Sequence, residues 1–314
     1  MGVGALAHLG IAKEVTWGTA VAAADYLKMV SEGIVVNKEE IVSEAKRGVW
    51  DEPESFEGLE TVEGPVTVEV QPETVGLLLM AALGAPTTTG VGPYTHTFTP
   101  TNAKFSADCA LPPLTLEVHR DMEQAFQYAG CVVNQLQLQF GTDQKIMRAQ
   151  ATIIGKEGTL IAATTPAMET NKPFTWDELV VQAGNPLAAL AGLEGVTLTI
   201  NNNLVGIPTL NNTKQISAIR RNGYRVIETS FTFDARDLTE YNRFINQDKT
   251  AFDFTFTSGT NSLQIALPQV EYKAAPINVG GADRLTVAVT GKAKLDAASG
   301  YALQAVLTNG RATY

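Results

Sequence analysis

A chain that writes one strand-and-helix pattern twice is constrained to fold as two related units, and this chain does so. Val62-Glu63-Gly64-Pro65-Val66-Thr67-Val68-Glu69-Val70 matches Ile227-Glu228-Thr229-Ser230-Phe231-Thr232-Phe233-Asp234-Ala235 position by position. Apolar residues fall on apolar ones, Thr67 on Thr232, Glu63 on Glu228 and Glu69 on Asp234. Gly58 and Gly223 stand a few residues upstream. Both segments run into a helix-like stretch, Pro72 to Leu83 and Asp237 to Gln247. Tyr94-Thr95-His96-Thr97-Phe98 then pairs with Phe252-Asp253-Phe254-Thr255-Phe256. Gly141-Thr142-Asp143, leading into 146–156, pairs with Gly281-Ala282-Asp283, leading into 285–292. A period of two imposes alternation on any strand, so the shared order of elements carries more weight than any single match. Loops between the matches differ in length, where insertions are tolerated. The repeat contains no catalytic set, so it points to architecture and not to chemistry.

Read along its length, the chain is expected to be mainly β. Two tandem β-sandwich or barrel units, each with one flanking α-helix, account for the pattern of short strands, turns and one helix per repeat. Residues 1–22 read as an apolar extended arm. The first unit spans 23–165 and carries a long polar loop over 37–57, with Trp50 and Pro53 inside it. The Thr/Ala/Pro stretch at 158–172 marks the boundary. The second unit spans 166–297, and 298–314 form a C-terminal tail. Helix 72–83 opens with Pro72 and Glu73 and stops at Gly84 and Pro86, as helix punctuation predicts. Leu78 and Leu79 on it, and Phe244 and Ile245 on the second helix, are expected to pack against the outside of the sheets. Strand 133–140 alternates apolar residues with Gln135, Gln137 and Gln139. Neutral glutamines suit a polar surface that meets other protein.

Bulk composition excludes several functions. Of 314 residues, 45% are hydrophobic and 18% charged, which describes a globular chain. A net charge of −10 argues against a surface built to grip phosphates. No apolar run approaches the roughly 20 residues of a membrane span, and the N-terminus lacks the positive start of a signal peptide. The cysteines Cys109 and Cys131 read as free buried or half-buried thiols.

Candidate chemistry does not converge. Gly2-Val3-Gly4 has the outline of a dinucleotide fingerprint but no preceding strand. His8, His96 and His119 lie far apart in sequence and lack partners at metal spacing. Glu63 with Glu69, and Glu228 with Asp234, form acid pairs such as glycosidases use, yet they recur in both repeats. They read as a duplicated acidic surface. No catalytic residue, cofactor or metal ligand is assigned.

Gly10-Ile11-Ala12-Lys13-Glu14-Val15-Thr16-Trp17-Gly18-Thr19-Ala20 resembles the opening common among long-tailed phage tail tube proteins. Ser43-Glu44-Ala45-Lys46-Arg47-Gly48, followed by Ser55-Phe56-Glu57-Gly58 and Val62-Glu63-Gly64, looks like their second hallmark, as does the strand-to-helix passage 66–83. The resemblance covers the first 85 or so residues by motif and the rest by strand order. It implies a major tail protein of the fused two-domain type, in a siphovirus virion assembled in the host cytoplasm. Such subunits form rings whose inner strands join into one barrel, and rings stack through loops and arms into a channel for DNA ejection. Fused subunits make a trimeric pseudo-six-fold ring. Partners implied are other copies of the chain, the tape measure and terminator proteins, and DNA in transit without specific binding. On this reading Glu63, Glu69, Glu228 and Asp234 face an acidic lumen. The rivals are a terminator or distal tail protein, a secretion-type tube, and a carbohydrate-binding β-sandwich.

Overall fold

Alternating sequence becomes strand pairing almost throughout the chain. The computed structural model describes residues 2–279, 281–282 and 284–314; Asp283, part of the second Gly-Ala-Asp match, lies outside the described residues. Up to the proposed boundary run β1 (His8–Lys13), β2 (Asp25–Leu27), β3 (Met29–Glu32), β4 (Val35–Val42), β5 (Ser55–Glu69), α1 (Val75–Leu83), β6 (Thr87–Thr89), β7 (Tyr94–Phe98), β8 (Leu114–His119), β9 (Gln124–Gly141), β10 (Arg148–Gly155) and β11 (Glu157–Ala162). Beyond it run β12 (Leu179–Ala183), β13 (Ala188–Ala189), β14 (Leu193–Asn201), β15 (Leu204–Ile207), β16 (Ala218–Arg221), β17 (Val226–Asp234), α2 (Thr239–Asn246), β18 (Lys249–Ser258), β19 (Asn261–Ala274), β20 (Thr286–Ala293) and β21 (Gln304–Asn309). The fold is mainly β.

One long antiparallel sheet positions everything else. Its order is β4–β5–β10–β9–β14–β17–β20–β19, with β3 continuing β4 along the edge of β5. The order β4–β5–β10–β9 in the first half is repeated as β14–β17–β20–β19 in the second. The match extends to irregularities. With Glu63 set on Glu228, the one-residue bulge between Met29 and Ser31 falls on the bulge between Leu193 and Gly195. The bulge that skips Asn134 opposite Thr152 and Ile153 falls on the one that skips Lys273 opposite Thr290 and Gly291. A bulge leaves one residue unpaired and bends its strand, so two bulges in equivalent places are a far more specific likeness than alternation. The sheet is open and does not close into a barrel.

Two strands carry the chain from this sheet into the covering layers. The first part of β9 pairs with β8 and β11, β8 in turn with β1, and β1 with β2. The first part of β19 pairs with β18 and β21. β18 therefore stands beside β19 as β8 stands beside β9. The expected equivalence of 94–98 with 252–256 does not hold in the pairing, because β7 lies against β21. Aromatic residues fill the space between layers in the second half. Phe140 meets Phe254 and Phe256 at centroid distances of 5.5 and 5.1 Å, and Phe231 stacks on Phe252 at 4.7 Å.

The two helices differ. α1 is apolar on every side, and all nine of its residues are buried, Leu78 and Leu79 among them; such a helix belongs inside. It is a core element and not the flanking helix expected. Its first turn meets the Glu169 carboxylate, which accepts from the Glu73 N–H at 3.0 Å and the Thr74 hydroxyl at 3.0 Å, a favoured place for an acid. Its Ala82 carbonyl accepts from Asn202 Nδ2 at 2.9 Å, which satisfies a terminal carbonyl. Gly76 allows the Tyr314 ring to lie against it; a Cβ there would be 2.1 Å from the ring. α2 has no buried residue. Phe244 packs half-buried on the core, while Ile245 is 56% exposed. Adjacent helical residues point about 100° apart, so turning Phe244 inward turns Ile245 away.

Three segments differ from the sequence expectation. Within the expected free arm, β1 is a buried strand between β2 and β8, because Leu9 and Ile11 are core residues. The ends of the expected loop 37–57 are strand, 37–42 in β4 and 55–57 in β5, with Ile41 opposite Phe56 and Val42 opposite Ser55, and 43–54 form the loop between them. The expected tail contains β21, which joins β7 to β19. Truncating Leu79 to Ala should cost about 2–5 kcal/mol, the range for a buried leucine. Chemical denaturation measures it, and a neutral result would mean that α1 does not hold the core.

Candidate functional site

The long sheet has one face in the core and one face that is polar across both halves. Cross-strand registers give its composition row by row. One row reads Thr67, Gln150, Gln137, Thr199, Glu228, Lys292 from β5 to β20. The next reads Glu69, Arg148, Gln139, Thr197, Ser230, Thr290. Neutral amides and hydroxyls dominate the middle, and they bond to each other: Gln137 Nε2 donates to Thr199 Oγ1 at 3.2 Å, and Gln139 Nε2 to Gln137 Oε1 at 2.8 Å. The glutamine strand noticed in the sequence is β9, at the centre of this face.

Registers bring Glu63, Glu69, Glu228 and Asp234 onto this same face, two in each half. Bases accompany them. Lys292 pairs with Glu228 at 2.9 Å. Asp234 accepts from Arg236 at 2.8 Å and from Arg284 at 3.2 Å. Those contacts, Arg236 first, hold its carboxyl below the ordinary aspartate value. Arg148 stands directly opposite Glu69. Glu63 is exposed, with Ile154 and Val35 opposite it on either side. The face is therefore polar, with Glu228 and Asp234 held by bases and Glu63 and Glu69 in no ion pair among the described residues. Arg236 stands two residues from Asp234 and is visible in the sequence, whereas Lys292, Arg284 and Arg148 are far from their acids and are found only by solving the register.

The N-terminal hallmark residues build a clasp. Glu14 is fully buried and accepts from the Gly130 N–H at 2.7 Å, the Thr115 hydroxyl at 2.8 Å and the Gly18 N–H at 2.8 Å. Burial raises its carboxyl above the ordinary value against the pull of these donors. Trp17 Nε1 donates to the Gly130 carbonyl at 3.0 Å, and Lys156 lies over the indole. Gly130, at φ +66°, sits where β9 leaves the covering layer for the long sheet. The motif thus pins the bend of β9.

Histidines far apart in sequence meet in space. His8 lies opposite His119, with ring centroids 4.8 Å apart, and His8 Nε2 is 3.8 Å from Glu117. Burial, then the neighbouring His119, lower the His8 value. His96 is buried and bonds Thr88 and the Arg311 carbonyl at 2.8 Å each. Cys109 and Cys131 are buried free thiols; burial pushes Cys109 up to about 12 and Cys131 upward too. Thiols this far from ionisation are poor nucleophiles.

An open sheet built twice, with an unbroken polar face and a pinned bend at the hallmark residues, is what a wall-forming subunit requires. The family model described as phage tail tube protein matches residues 4–293. The chain belongs to that family. No curated protein matches it. It is a structural tail tube protein, a component of the phage tail. No helix among the described residues is long and apolar enough to cross a membrane.

Replacing Glu14 with Ala should cost about 1–3 kcal/mol, since three buried donors lose their acceptor. Glu14→Gln tests the charge. Because the folded value is raised, the wild-type contribution is full below the unfolded value and falls as pH rises through the folded one. The Gln variant should flatten stability against pH just above the ordinary carboxylate range. Unfolding curves at several pH values check both; an unchanged midpoint for Glu14→Ala would remove the clasp.

Proposed function

We propose that three copies of this chain form a ring with pseudo-six-fold symmetry, that rings stack into a tube, and that the polar face of the long sheet lines the channel through which DNA leaves. The observation that carries the reading is the β9–β14 joint. It fuses two sheets of like strand order, side by side, with their polar faces continuous. Repeating that joint between chains would generate a closed wall and remove exposed strand edges. Each chain would act as two tandem tube units.

The chemistry of the face suits a conduit. Neutral amides and hydroxyls offer phosphate no net charge. Glu228 and Asp234, already held by Lys292 and the two arginines, leave those bases unavailable to DNA. Binding to the backbone of DNA depends on releasing counterions to free cations, and this face has few to spare. The β4–β5 hairpin projects apolar residues, with Trp50 fully exposed and Phe56 53% exposed, toward a neighbouring ring.

Purified protein should form rings or tubes under the electron microscope, and isolated rings should have the mass of three chains. Six chains per ring would overturn the trimer, and a strict monomer would overturn assembly. Replacing Glu63, Glu69, Glu228 and Asp234 together with Lys should create salt-sensitive DNA affinity, with a steep dependence on ionic strength. Particles carrying that variant should assemble but eject DNA slowly or incompletely. Normal ejection with unchanged DNA affinity would put these acids outside the channel.

A further inference from the structure

In the second repeat the inner strand stops at Ala274, and 275–279 pair with neither β20 nor any other strand among the described residues, whereas their counterparts in the first repeat pair on both sides. After its bulge at Asn134, β9 continues through 135–140 and pairs with β14: Gln135 opposite Asn201, Gln137 opposite Thr199, Leu138 opposite Leu198 and Phe140 opposite Val196. After the equivalent bulge at Lys273, the chain continues through 274–279. Among the described residues, none beyond Ala274 pairs with a strand. The in–out pattern still matches. Ala275 is buried and Ile277 half-buried, while Pro276 and Asn278 are exposed, as Leu136 and Leu138 are buried against Gln137 and Gln139. Val279 is 75% exposed where its counterpart Phe140 is 2% exposed.

The complement to this segment lies at the other end of the same sheet. Residues 29–37 stand to β5 as 193–201 stand to β17, bulge for bulge. β14 has a second partner, β9. Among the described residues, β3 and β4 pair with β5 alone. Resting on the assembly reading above, we infer that residues 274–279 of one copy pair antiparallel with 32–37 of the next, in the register of the in-chain joint. Ala275 then faces Val36, Pro276 faces Val35, Ile277 faces Ile34 and Asn278 faces Gly33. The occupant is a second copy of this chain, because the chain already builds the same joint once within itself.

A charged pair caps this edge in the free chain. The Ile34 N–H donates to Glu32 Oε2 at 3.1 Å, and its carbonyl accepts from Arg120 Nη2 at 2.8 Å and the Tyr128 hydroxyl at 3.3 Å. Arg120 in turn donates to Glu32 at 2.7 and 2.9 Å. Ile34 is the counterpart of Leu198, which pairs with Leu138 inside the chain. Capping backbone groups at an edge with charge is a known way to prevent unwanted strand addition. Pairing with Ile277 of the next copy replaces this cap.

Val35→Cys with Pro276→Cys tests the register. Directly opposed antiparallel residues lie about 4.5–5.5 Å apart between Cα atoms, within the span of a disulfide. Mild oxidation of assembled protein should give disulfide-linked species ending at three chains. The native cysteines are buried and do not compete. Val35→Cys with Ala275→Cys places the thiols on opposite faces and should not cross-link. Tubes that form without the first cross-link, or that cross-link equally in the offset pair, overturn the register and leave the assembly reading standing. Wild-type protein that forms no ring or tube overturns both. Arg120→Met removes the guanidinium, which lies over Phe126 at 4.4 Å and forms the cap. It should shorten the lag of assembly followed by light scattering, and an unchanged lag overturns the role of the cap.

Discussion

The backbone pairing between β9 and β14 is the interaction on which the rest of the structure depends. An edge strand presents a row of unpaired N–H and C=O groups, and leaving one bare invites association. Here each half meets that demand with the other half. Seven residue pairs join Gly141–Gln135 to Gly195–Asn201, and the Asn202 N–H extends the ladder to Asn134. Because β9 also bends into the covering layer, the joint fixes the relation of both layers. Phe140, at its end, carries it into the aromatic core of the second half.

Around that joint the repeats agree in their sheets and part company in their helices. α1 has been drawn into the interior, and its ends are satisfied by residues from far along the chain, Glu169 at one end and Asn202 at the other. Asn202 is itself held by Arg221 and Arg225 through its side-chain oxygen. Burial, then the charge of Arg221, lowers Arg225 to about 10. α2 lies on the surface with polar residues on most of its circumference. One repeat thus supplies a buried keystone, and the other supplies an accessible helix beside a free sheet edge.

Much of the sheet was legible in the sequence because its cause is local. Strand 94–98 follows from alternation and is found at those bounds. The aligned acids and threonines of 62–70 and 227–235 do occupy equivalent strands. What failed was whatever depended on partners distant in the chain. An apolar N-terminal segment looks like an arm until β8 is placed beside it. Lys292 beside Glu228 and Arg284 beside Asp234 come from distant parts of the chain, so the face looks more acidic on paper than in space. The equivalence of 94–98 with 252–256 rested on composition, and pairing is decided by neighbours. Bulges at Asn134 and Lys273 leave no mark in the sequence, although they are the most specific evidence of repetition.

The position of β21 has a temporal consequence. It sits between β7 and β19, and the segment after it sets Tyr314 against Gly76 and Arg311 against Asp25. Strand β7 is therefore synthesised some two hundred residues before its neighbour, a separation that slows folding because distant ends must be brought together. Until residues 304–314 have left the ribosome, α1 lacks part of its cover and β7 remains an open edge. The layer that holds β7 and covers α1 is therefore completed only when residues 304–314 are in place, far along the chain from the elements they cover.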